Sequence, residues 1–84
     1  MSNVRVKVAY FAQARELAGT KEDEFVLISP ADAEHLFCEV VNAHPKIQGI
    51  RKIISILVNG RPVLKNVELK DGDRVAFLPP VAGG

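Results

Sequence analysis

Apolar and polar residues alternate strictly near the start of the chain. One face of the segment 4–11 carries Val4, Val6, Val8 and Tyr10. The other face carries Arg5, Lys7, Ala9 and Phe11. This period of two predicts a strand with one buried face. Residues 12–18 are rich in helix formers and precede Gly19, so they predict one or two helical turns with a glycine cap.

A longer helix is predicted from an apolar stripe at helical spacing. The stripe consists of Ala33, Leu36, Phe37, Val40 and Val41. Ser29 can cap this helix, with Pro30 in its first position and Asp32 in its first turn. His44-Pro45 ends it. We therefore expect the main helix over residues 30–43.

The remaining segments predict short strands and turns. Residues 21–24 read as a solvated turn before a wholly apolar second strand, 25–28, and residues 53–58 predict a third strand. Asn59-Gly60 predicts a two-residue hairpin turn, because both residue types tolerate positive φ. A fourth strand is expected over 61–65, with Pro62 placing it at a sheet edge. Asp71-Gly72-Asp73 predicts a turn before a last strand, 74–78.

This order of elements predicts an α+β fold of the β-grasp, ubiquitin-like type. One main helix would cover one face of a mixed sheet of about five strands. The first and last strands would be central neighbours. We expect a domain over residues 1–78 and an extended tail over 79–84. The predicted core consists of Val6, Val8, Phe37, Val40, Val75 and Phe77.

Composition narrows the class of partner. Eleven Lys and Arg oppose ten Asp and Glu among 84 residues, so a net charge of +1 gives no basis for binding nucleic acid or an anionic membrane. The single cysteine, Cys38, cannot form an internal disulfide. Without a signal peptide or an apolar run of bilayer length, the sequence is expected to be cytoplasmic.

The last six residues carry the most distinctive chemistry. They are Pro79, Pro80, Val81, Ala82, Gly83 and Gly84. Two prolines favour an extended path, and six extended residues reach about 20 Å. Because the two glycines have no side chains, a partner can enclose this backbone and its terminal carboxylate.

Two stretches carry a resemblance to a known family. Residues 11–19 read Phe-Ala-Gln-Ala-Arg-Glu-Leu-Ala-Gly, and residues 71–84 read Asp-Gly-Asp-Arg-Val-Ala-Phe-Leu-Pro-Pro-Val-Ala-Gly-Gly. The chain resembles, over essentially its whole length, the small subunits of molybdopterin synthase, which are ubiquitin-like sulfur carriers. Asn59, before the fourth predicted strand, also fits this family. A bare Gly-Gly ending also occurs in thiamine-pathway carriers and ubiquitin-like modifiers, but the thiamine-type carriers tend to lack the segment at 11–17.

The resemblance implies a reaction at Gly84, with Gly83 as part of the arm. An E1-like enzyme would use ATP to adenylate the Gly84 carboxylate, and a sulfur donor protein would replace AMP to leave a thiocarboxylate. The loaded tail would enter the large subunit and give its sulfur to a cyclic pyranopterin. The chain would then be a carrier and not an enzyme by itself, with no directly bound cofactor and catalytic residues on the large subunit. A two-plus-two assembly is also implied.

A docking surface follows from the alternation of the first and last strands. If these strands lie parallel, their outer faces both change from charged to apolar toward the end where the tail leaves. We expect Phe11, Ala9, Ala76 and Leu78, continued by the tail residues 79–82, to contact the partner. Phe11 and Leu78 should be substantially exposed. The alternative is that the short helix 12–18 folds over this surface and buries it.

Other reactive residues are expected to have structural roles. Cys38 lies on the flank of the apolar stripe with no base nearby in sequence, which indicates a bystander thiol. His35 and His44 fall on different helix faces without a second ligand pair, so no metal site is predicted. Asp71 and Asp73 are turn residues. With no phosphate-binding loop in the sequence, ATP would be bound by the activating partner.

Three functions remain open. The first is the sulfur carrier of molybdopterin synthase. The second is a carrier for thiamine or tRNA thiolation, or a protein-conjugating modifier. The third is a β-grasp interaction module with an inert tail.

Overall fold

The computed structural model describes residues 2–80, which form a mixed sheet and two α-helices. The first half contains β1 (Asn3–Tyr10), α1 (Gln13–Ala18), β2 (Glu22–Ile28), β3 (Ala31–Asp32) and α2 (Ala33–Ala43). The second half contains a 3-10 helix (Pro45–Ile50), β4 (Ser55–Val58), β5 (Arg61–Pro62), β6 (Glu68–Leu69) and β7 (Arg74–Leu78). The predicted α+β, β-grasp arrangement is confirmed.

The first and last strands lie at the centre of the main sheet, as predicted. The strand order is β2-β1-β7-β4-β5. β1 and β7 are parallel, with Val8 opposite Val75 and Tyr10 opposite Phe77. All other neighbouring strands of this sheet are antiparallel. β5 is an edge strand, as Pro62 indicated.

The core lies between this sheet and α2. All six predicted core residues are buried, and Val6, Val8, Phe37, Val40 and Phe77 have no exposed surface. The rings of Phe37 and Phe77 stack with centroids 5.6 Å apart, and Tyr10 packs edge-on against Phe77 at 5.9 Å. Since β7 contributes Phe77 from the middle of the sheet, the strand that precedes the tail is anchored at the centre of the domain.

The start of the main helix differs from the prediction. α2 begins at Ala33, and its N-cap is Asp32, whose carboxylate accepts a hydrogen bond from the His35 backbone N–H at 2.8 Å. Ser29 and Pro30 lie outside the helix, and the Ser29–Pro30 peptide bond is cis. Asp32 is the cap instead of Ser29 because residues 31–32 pair with β6. This pairing keeps the chain extended up to Asp32, so the helix cannot begin earlier.

Several more segments depart from the predicted pattern. β2 starts at Glu22, so residues 22–24 are strand and not a solvated turn. The fourth strand has only two residues, although the Val63 N–H still donates to the Ile56 carbonyl of β4 at 3.0 Å. The small β3–β6 sheet and the 3-10 helix had no recognisable signal in the sequence.

The hairpin turn between β4 and β5 has the predicted geometry. Asn59 and Gly60 have φ values of 52° and 83°, the left-handed region that this turn requires. The Asn59 side chain also reaches across to the start of β7. Its Nδ2 donates to Asp73 Oδ1 at 2.9 Å, and its Oδ1 accepts from the Arg74 backbone N–H at 3.0 Å. The hairpin and the last strand are therefore joined through one side chain.

Candidate functional site

The base of the tail is held by the central strand of the sheet. β7 ends at Leu78, and the next residue, Pro79, is buried, although we expected it to belong to the tail. Pro80 is exposed. The packed part of the chain thus continues to Pro79. The predicted tail residues Val81, Ala82, Gly83 and Gly84 lie outside the described residues.

An apolar surface lies beside this tail base, on the sheet face opposite α2. We call it the outer patch: Ala9, Phe11, Leu57, Pro62, Ala76 and Leu78. Register pairs connect its members, with Ala9 opposite Ala76, Ala76 opposite Leu57 and Leu57 opposite Pro62. Phe11 and Leu78 each follow directly after the last β1–β7 register pair. The predicted residues therefore come together, and Leu57 and Pro62 extend the surface in a way that the sequence analysis missed.

The exposure of the patch shows whether α1 buries it. Phe11 is 40% exposed, so α1 does not cover it. Leu78, Ala9, Ala76 and Leu57 are half-buried, and Pro62 is exposed. Leu78 is therefore less exposed than predicted; it lies opposite Ser55 of the neighbouring strand β4. α1 instead directs Ala14 into the core.

Backbone hydrogen bonds hold Phe11 at the rim of the patch. Its N–H donates to the Phe77 carbonyl at 3.3 Å, and its carbonyl accepts from the Ala14 N–H at 3.0 Å. Ala12 has a φ of 50° and a ψ of −126°, a region that costs a non-glycine residue about 1–3 kcal/mol. Gly19 ends α1 in the left-handed conformation, as predicted. Phe11 is thus presented by a sharp turn between β1 and α1.

Charged residues occupy the outer face beyond the patch. Lys7 and Arg74 are register partners on the central strands, and Arg5 follows Lys7 one step further from the tail. Arg5 pairs with Glu24 at 3.3 Å, and both side chains are well exposed, so this pair adds little stability. On the two central strands, β1 and β7, the outer face therefore changes from charged to apolar toward the tail, as the alternation predicted. On the neighbouring strand β2, Val26 and Ile28 are exposed apolar residues of the same face at its charged end.

The structure also contains a polar cluster that the sequence analysis did not identify. The Tyr10 hydroxyl donates to Asp23 Oδ2 at 3.0 Å, and His44 Nε2 lies 2.6 Å from the same oxygen. His44 packs edge-on against the Tyr10 ring. Asp23 was assigned to a solvated turn, but its parity with Phe25 and Leu27 in β2 was a signal that it faces the core. The cluster ties the end of α2 to β1 and β2.

The cluster changes the acidity of Tyr10. Burial raises the pKa of the Tyr10 hydroxyl well above its ordinary value, and the hydrogen bond to Asp23 and the negative charge of Asp23 raise this pKa further. A phenol in an unfolded chain has a pKa of about 10. Because the folded-state pKa is higher, this contribution to stability is fully present below about pH 10 and is lost as the pH rises above it.

We expect Tyr10→Phe to alter the pH dependence of stability. Near pH 7 the variant should be less stable by about 1–3 kcal/mol, because it lacks a hydrogen bond to a charged group. Above about pH 10 the wild-type protein should lose stability faster than the variant, so the difference should shrink. Urea denaturation of both proteins from pH 7 to pH 11 measures it. A difference that stays constant across this range would show that Tyr10 titrates normally in the folded protein.

Other reactive side chains within residues 2–80 lie in turns or on the surface. Among residues 2–80, no group of three His, Cys, Asp or Glu side chains is placed to hold a metal ion. Cys38 is an exposed free thiol. Asp71 and Asp73 accept backbone hydrogen bonds from Arg5 and Lys70, both at 2.8 Å, as turn residues do. No helix in this part of the chain is long and apolar enough to cross a membrane.

Comparison with known protein families gives one match, which covers residues 8–84 and therefore includes the outer patch and the tail. The matching model is that of the ThiS family. The chain belongs to the ThiS family. The matched residues include most of the β-grasp domain and the Gly83-Gly84 ending.

Individual proteins similar to this ThiS-family chain are named for sulfur transfer. The molybdopterin synthase sulfur carrier subunit of Chlamydomonas reinhardtii is 40% identical, with 96% of this chain and 100% of that protein covered. A solved structure from Pyrococcus furiosus, assigned to molybdopterin converting factor subunit 1, has a TM-score of 0.85 and 41% identity, covering 93% of this chain and 99% of the other.

A third similar protein was solved together with a second subunit. It belongs to a complex of subunits 1 and 2 of the molybdopterin-converting factor from Helicobacter pylori. The TM-score is 0.65 at 27% identity, and the alignment covers 96% of this chain and all of the other. Thus a protein with this fold and a related sequence forms a complex with a second subunit.

Proposed function

We propose that this chain is the sulfur carrier subunit of molybdopterin synthase and that Gly84 carries the sulfur as a thiocarboxylate. The observation that carries the proposal is the exposed outer patch at the base of a Gly-Gly tail. It supplies a way for a partner to bind the domain while the tail enters the partner's active site. The names of the similar proteins support the same role.

The chemistry of the tail determines which steps must be supplied by partners. A terminal carboxylate has a pKa of about 3.5, so it is ionised near neutral pH and reacts poorly with nucleophiles. Attack of the Gly84 carboxylate on ATP would form an acyl-adenylate and release pyrophosphate. A sulfur donor protein would then displace AMP, leaving sulfur in place of one carboxylate oxygen. The sequence has no phosphate-binding loop, so the ATP site belongs to an E1-like activating partner.

The outer patch would place the loaded tail in the large subunit. β7 runs through the centre of the sheet, and its last residues form both the patch and the base of the tail. A partner that covers Phe11 and Leu78 therefore receives the tail in a fixed direction. The large subunit would bind the cyclic pyranopterin and provide the acid and base groups, and the thiocarboxylate would supply the sulfur of the dithiolene. In this scheme the chain carries the sulfur on its C-terminal tail, and the large subunit catalyses its transfer.

Two measurements test this function against its alternatives. Intact mass after co-expression with an activating enzyme should show one oxygen replaced by sulfur at the C-terminus. A mass that never changes would favour an inert interaction module. Affinity purification should then recover a large synthase subunit. Recovery of a thiamine-pathway or tRNA-thiolation enzyme, or of lysine-linked conjugates, would instead assign the chain to one of the related carrier or modifier functions.

We expect Leu78→Glu to weaken binding of the large subunit without unfolding the domain. Leu78 is half-buried in the isolated domain and lies beside Phe11, so a partner would cover both. Loss of a central apolar anchor costs about 2–4 kcal/mol of binding free energy. Isothermal titration calorimetry and thermal melting measure the two effects separately.

Val26→Glu is the matched control for Leu78→Glu. Val26 is 54% exposed and lies on the same sheet face, opposite Arg5 and away from the tail. The same change of charge there should leave the affinity for the large subunit nearly unaltered. If Leu78→Glu unfolds the isolated domain, Leu78 belongs to the core. If both variants bind as the parent does, the outer patch is not the docking surface.

A further inference from the structure

The Asn59-Gly60 turn combines a reactive sequence with an unusual restraint. An asparagine followed by glycine is the dipeptide most prone to deamidation, since the glycine has no side chain to obstruct attack by its own nitrogen. Both residues are exposed. Yet the Asn59 carboxamide is held at both ends, by Asp73 through Nδ2 and by the Arg74 N–H through Oδ1. Sequence and exposure favour reaction here, and these two hydrogen bonds oppose it.

We propose that Asn59 is a deamidation site whose reaction is held back by its contacts with Asp73 and Arg74, and whose product releases the start of β7. This inference is independent of the proposed sulfur-carrier function. It concerns the hairpin and the last strand, and the reaction needs no reagent other than water.

The reaction balances without an oxidant or a reductant. The Gly60 nitrogen attacks Cγ of Asn59, forming a carbon–nitrogen bond and a cyclic imide. The Cγ–Nδ2 bond breaks, and Nδ2 leaves as ammonia with the proton given up by the Gly60 nitrogen. Water then opens the imide at either carbonyl, which leaves aspartate or isoaspartate at position 59. The net change is one amide and one water converted into one carboxylic acid and one ammonia.

The hydrogen bonds oppose this reaction because they direct the carboxamide toward β7. For Cγ to meet the Gly60 nitrogen, the side chain must give up both contacts. The Asn59 backbone strengthens the restraint, since its own N–H donates to the Arg74 carbonyl at 2.7 Å. Loss of one hydrogen bond to a charged group corresponds to about a 10-fold to 100-fold change in an equilibrium, so the need to break this contact first should slow deamidation by a similar factor.

The product would no longer fit the position that the amide occupied. A carboxylate at 59 can still accept from the Arg74 N–H, but it cannot donate to Asp73. Two carboxylates would then face each other where a 2.9 Å hydrogen bond now exists. An isoaspartate would also lengthen the backbone within a two-residue turn. The turn before β7 is therefore expected to separate from the hairpin once the modification has occurred.

The first test compares deamidation rates in the full chain and in a synthetic peptide with the sequence of residues 55–63. Both are incubated in the same mildly alkaline buffer, and the product is quantified by mass spectrometry and by isoaspartate detection. The folded protein should react at least about tenfold more slowly than the peptide, as a hydrogen bond to a charged group allows. Asn66, which precedes Val67, is an internal control that should not react measurably. Equal rates in protein and peptide would overturn the proposal.

The second test changes the acceptor. Asp73→Ala should accelerate deamidation of the folded chain toward the peptide rate, whereas Asp73→Asn, which keeps an oxygen acceptor, should retain most of the protection. Circular dichroism establishes that each variant is folded. If Asp73→Ala does not fold, the comparison of wild type, Asp73→Asn and peptide still decides the question. Protection that is unaltered in folded Asp73→Ala would show that Asp73 does not restrain the amide.

The third test installs the product directly. In Asn59→Asp, hydrogen exchange of the Arg74 amide should be faster by about tenfold, because repulsion between the new carboxylate and Asp73 pushes apart the contact in which that amide lies. The Phe77 amide, deep in the same strand, is the control and should exchange as in the parent. Unaltered exchange at Arg74 would show that the aspartate product leaves β7 attached and would overturn the release of β7 by that product.

Discussion

Phe77→Ala should lose about 3–5 kcal/mol of its free energy of unfolding. Phe77 has no exposed surface, stacks on Phe37 and meets the edge of Tyr10. Its strand lies between β1 and β4, so the cavity would open at the centre of the sheet, where neighbouring side chains cannot easily move in. Since small domains have total stabilities of about 5–15 kcal/mol, this variant should be largely or wholly unfolded at moderate temperature.

Phe11→Ala is the matched control for Phe77→Ala, because it removes the same ring from an exposed position. Phe11 is 40% exposed, so its truncation should cost less than about 1.5 kcal/mol. Urea denaturation of the two variants and the parent gives the comparison. If Phe77→Ala unfolds at the parent's midpoint, the ring does not have the central packing role that its contacts indicate.

Addition of one residue after Gly84 should abolish sulfur transfer while leaving folding and partner binding intact. The extra residue moves the reactive carbon about 3.5 Å along the arm. Because an error of about 1 Å in attack geometry can cost about 100-fold in rate, transfer should fall by at least that factor. Deletion of Gly84 should have the same effect, and a bulky residue in place of Gly83 should block entry to the partner. Single-turnover synthesis of molybdopterin, with the loaded state followed by intact mass, measures this.

The control for the extended chain is the same residue placed before Met1. Both proteins should melt like the parent and bind the large subunit equally, since neither change touches the outer patch. Only the chain with the C-terminal addition should be inactive. Normal transfer by that chain, with no trimming detected by mass, would rule out Gly84 as the sulfur-bearing residue.

The sequence predicted the central sheet well because period-two alternation has a direct physical cause. Val6 and Val8 alternate with Arg5 and Lys7, and only one pairing of faces buries the apolar set. The turn at Asn59-Gly60 and the helix cap at Gly19 were also predicted correctly, because few other residues accept the positive φ values found there. Phe11 and Leu78 were brought together as expected, because β1 and β7 are parallel and in register.

Features that depend on contacts distant in sequence were missed or misplaced. The cap of α2 is Asp32 and not Ser29, because pairing with β6 holds residues 31–32 extended. Asp23 looked solvated among Lys21, Glu22 and Glu24, and only the fold brings Tyr10 and His44 to its carboxylate. Leu57 joined the outer patch through its register with Ala76, which a single sequence does not reveal. The Gly83-Gly84 chemistry remains a prediction from the sequence.

The position of β7 also determines when the domain can fold. Without β7, the β1–β2 pair cannot form one sheet with the β4–β5 pair, because β7 lies between them and is hydrogen-bonded to both β1 and β4. Its partner β1 is more than sixty residues away in sequence, and contacts of such long separation form slowly. During synthesis the sheet therefore cannot close until the last strand has emerged, so an incomplete chain that stops before Arg74 would expose its core and be open to proteolysis. Only chains that include β7, and with it the base of the tail, would therefore fold and resist proteolysis.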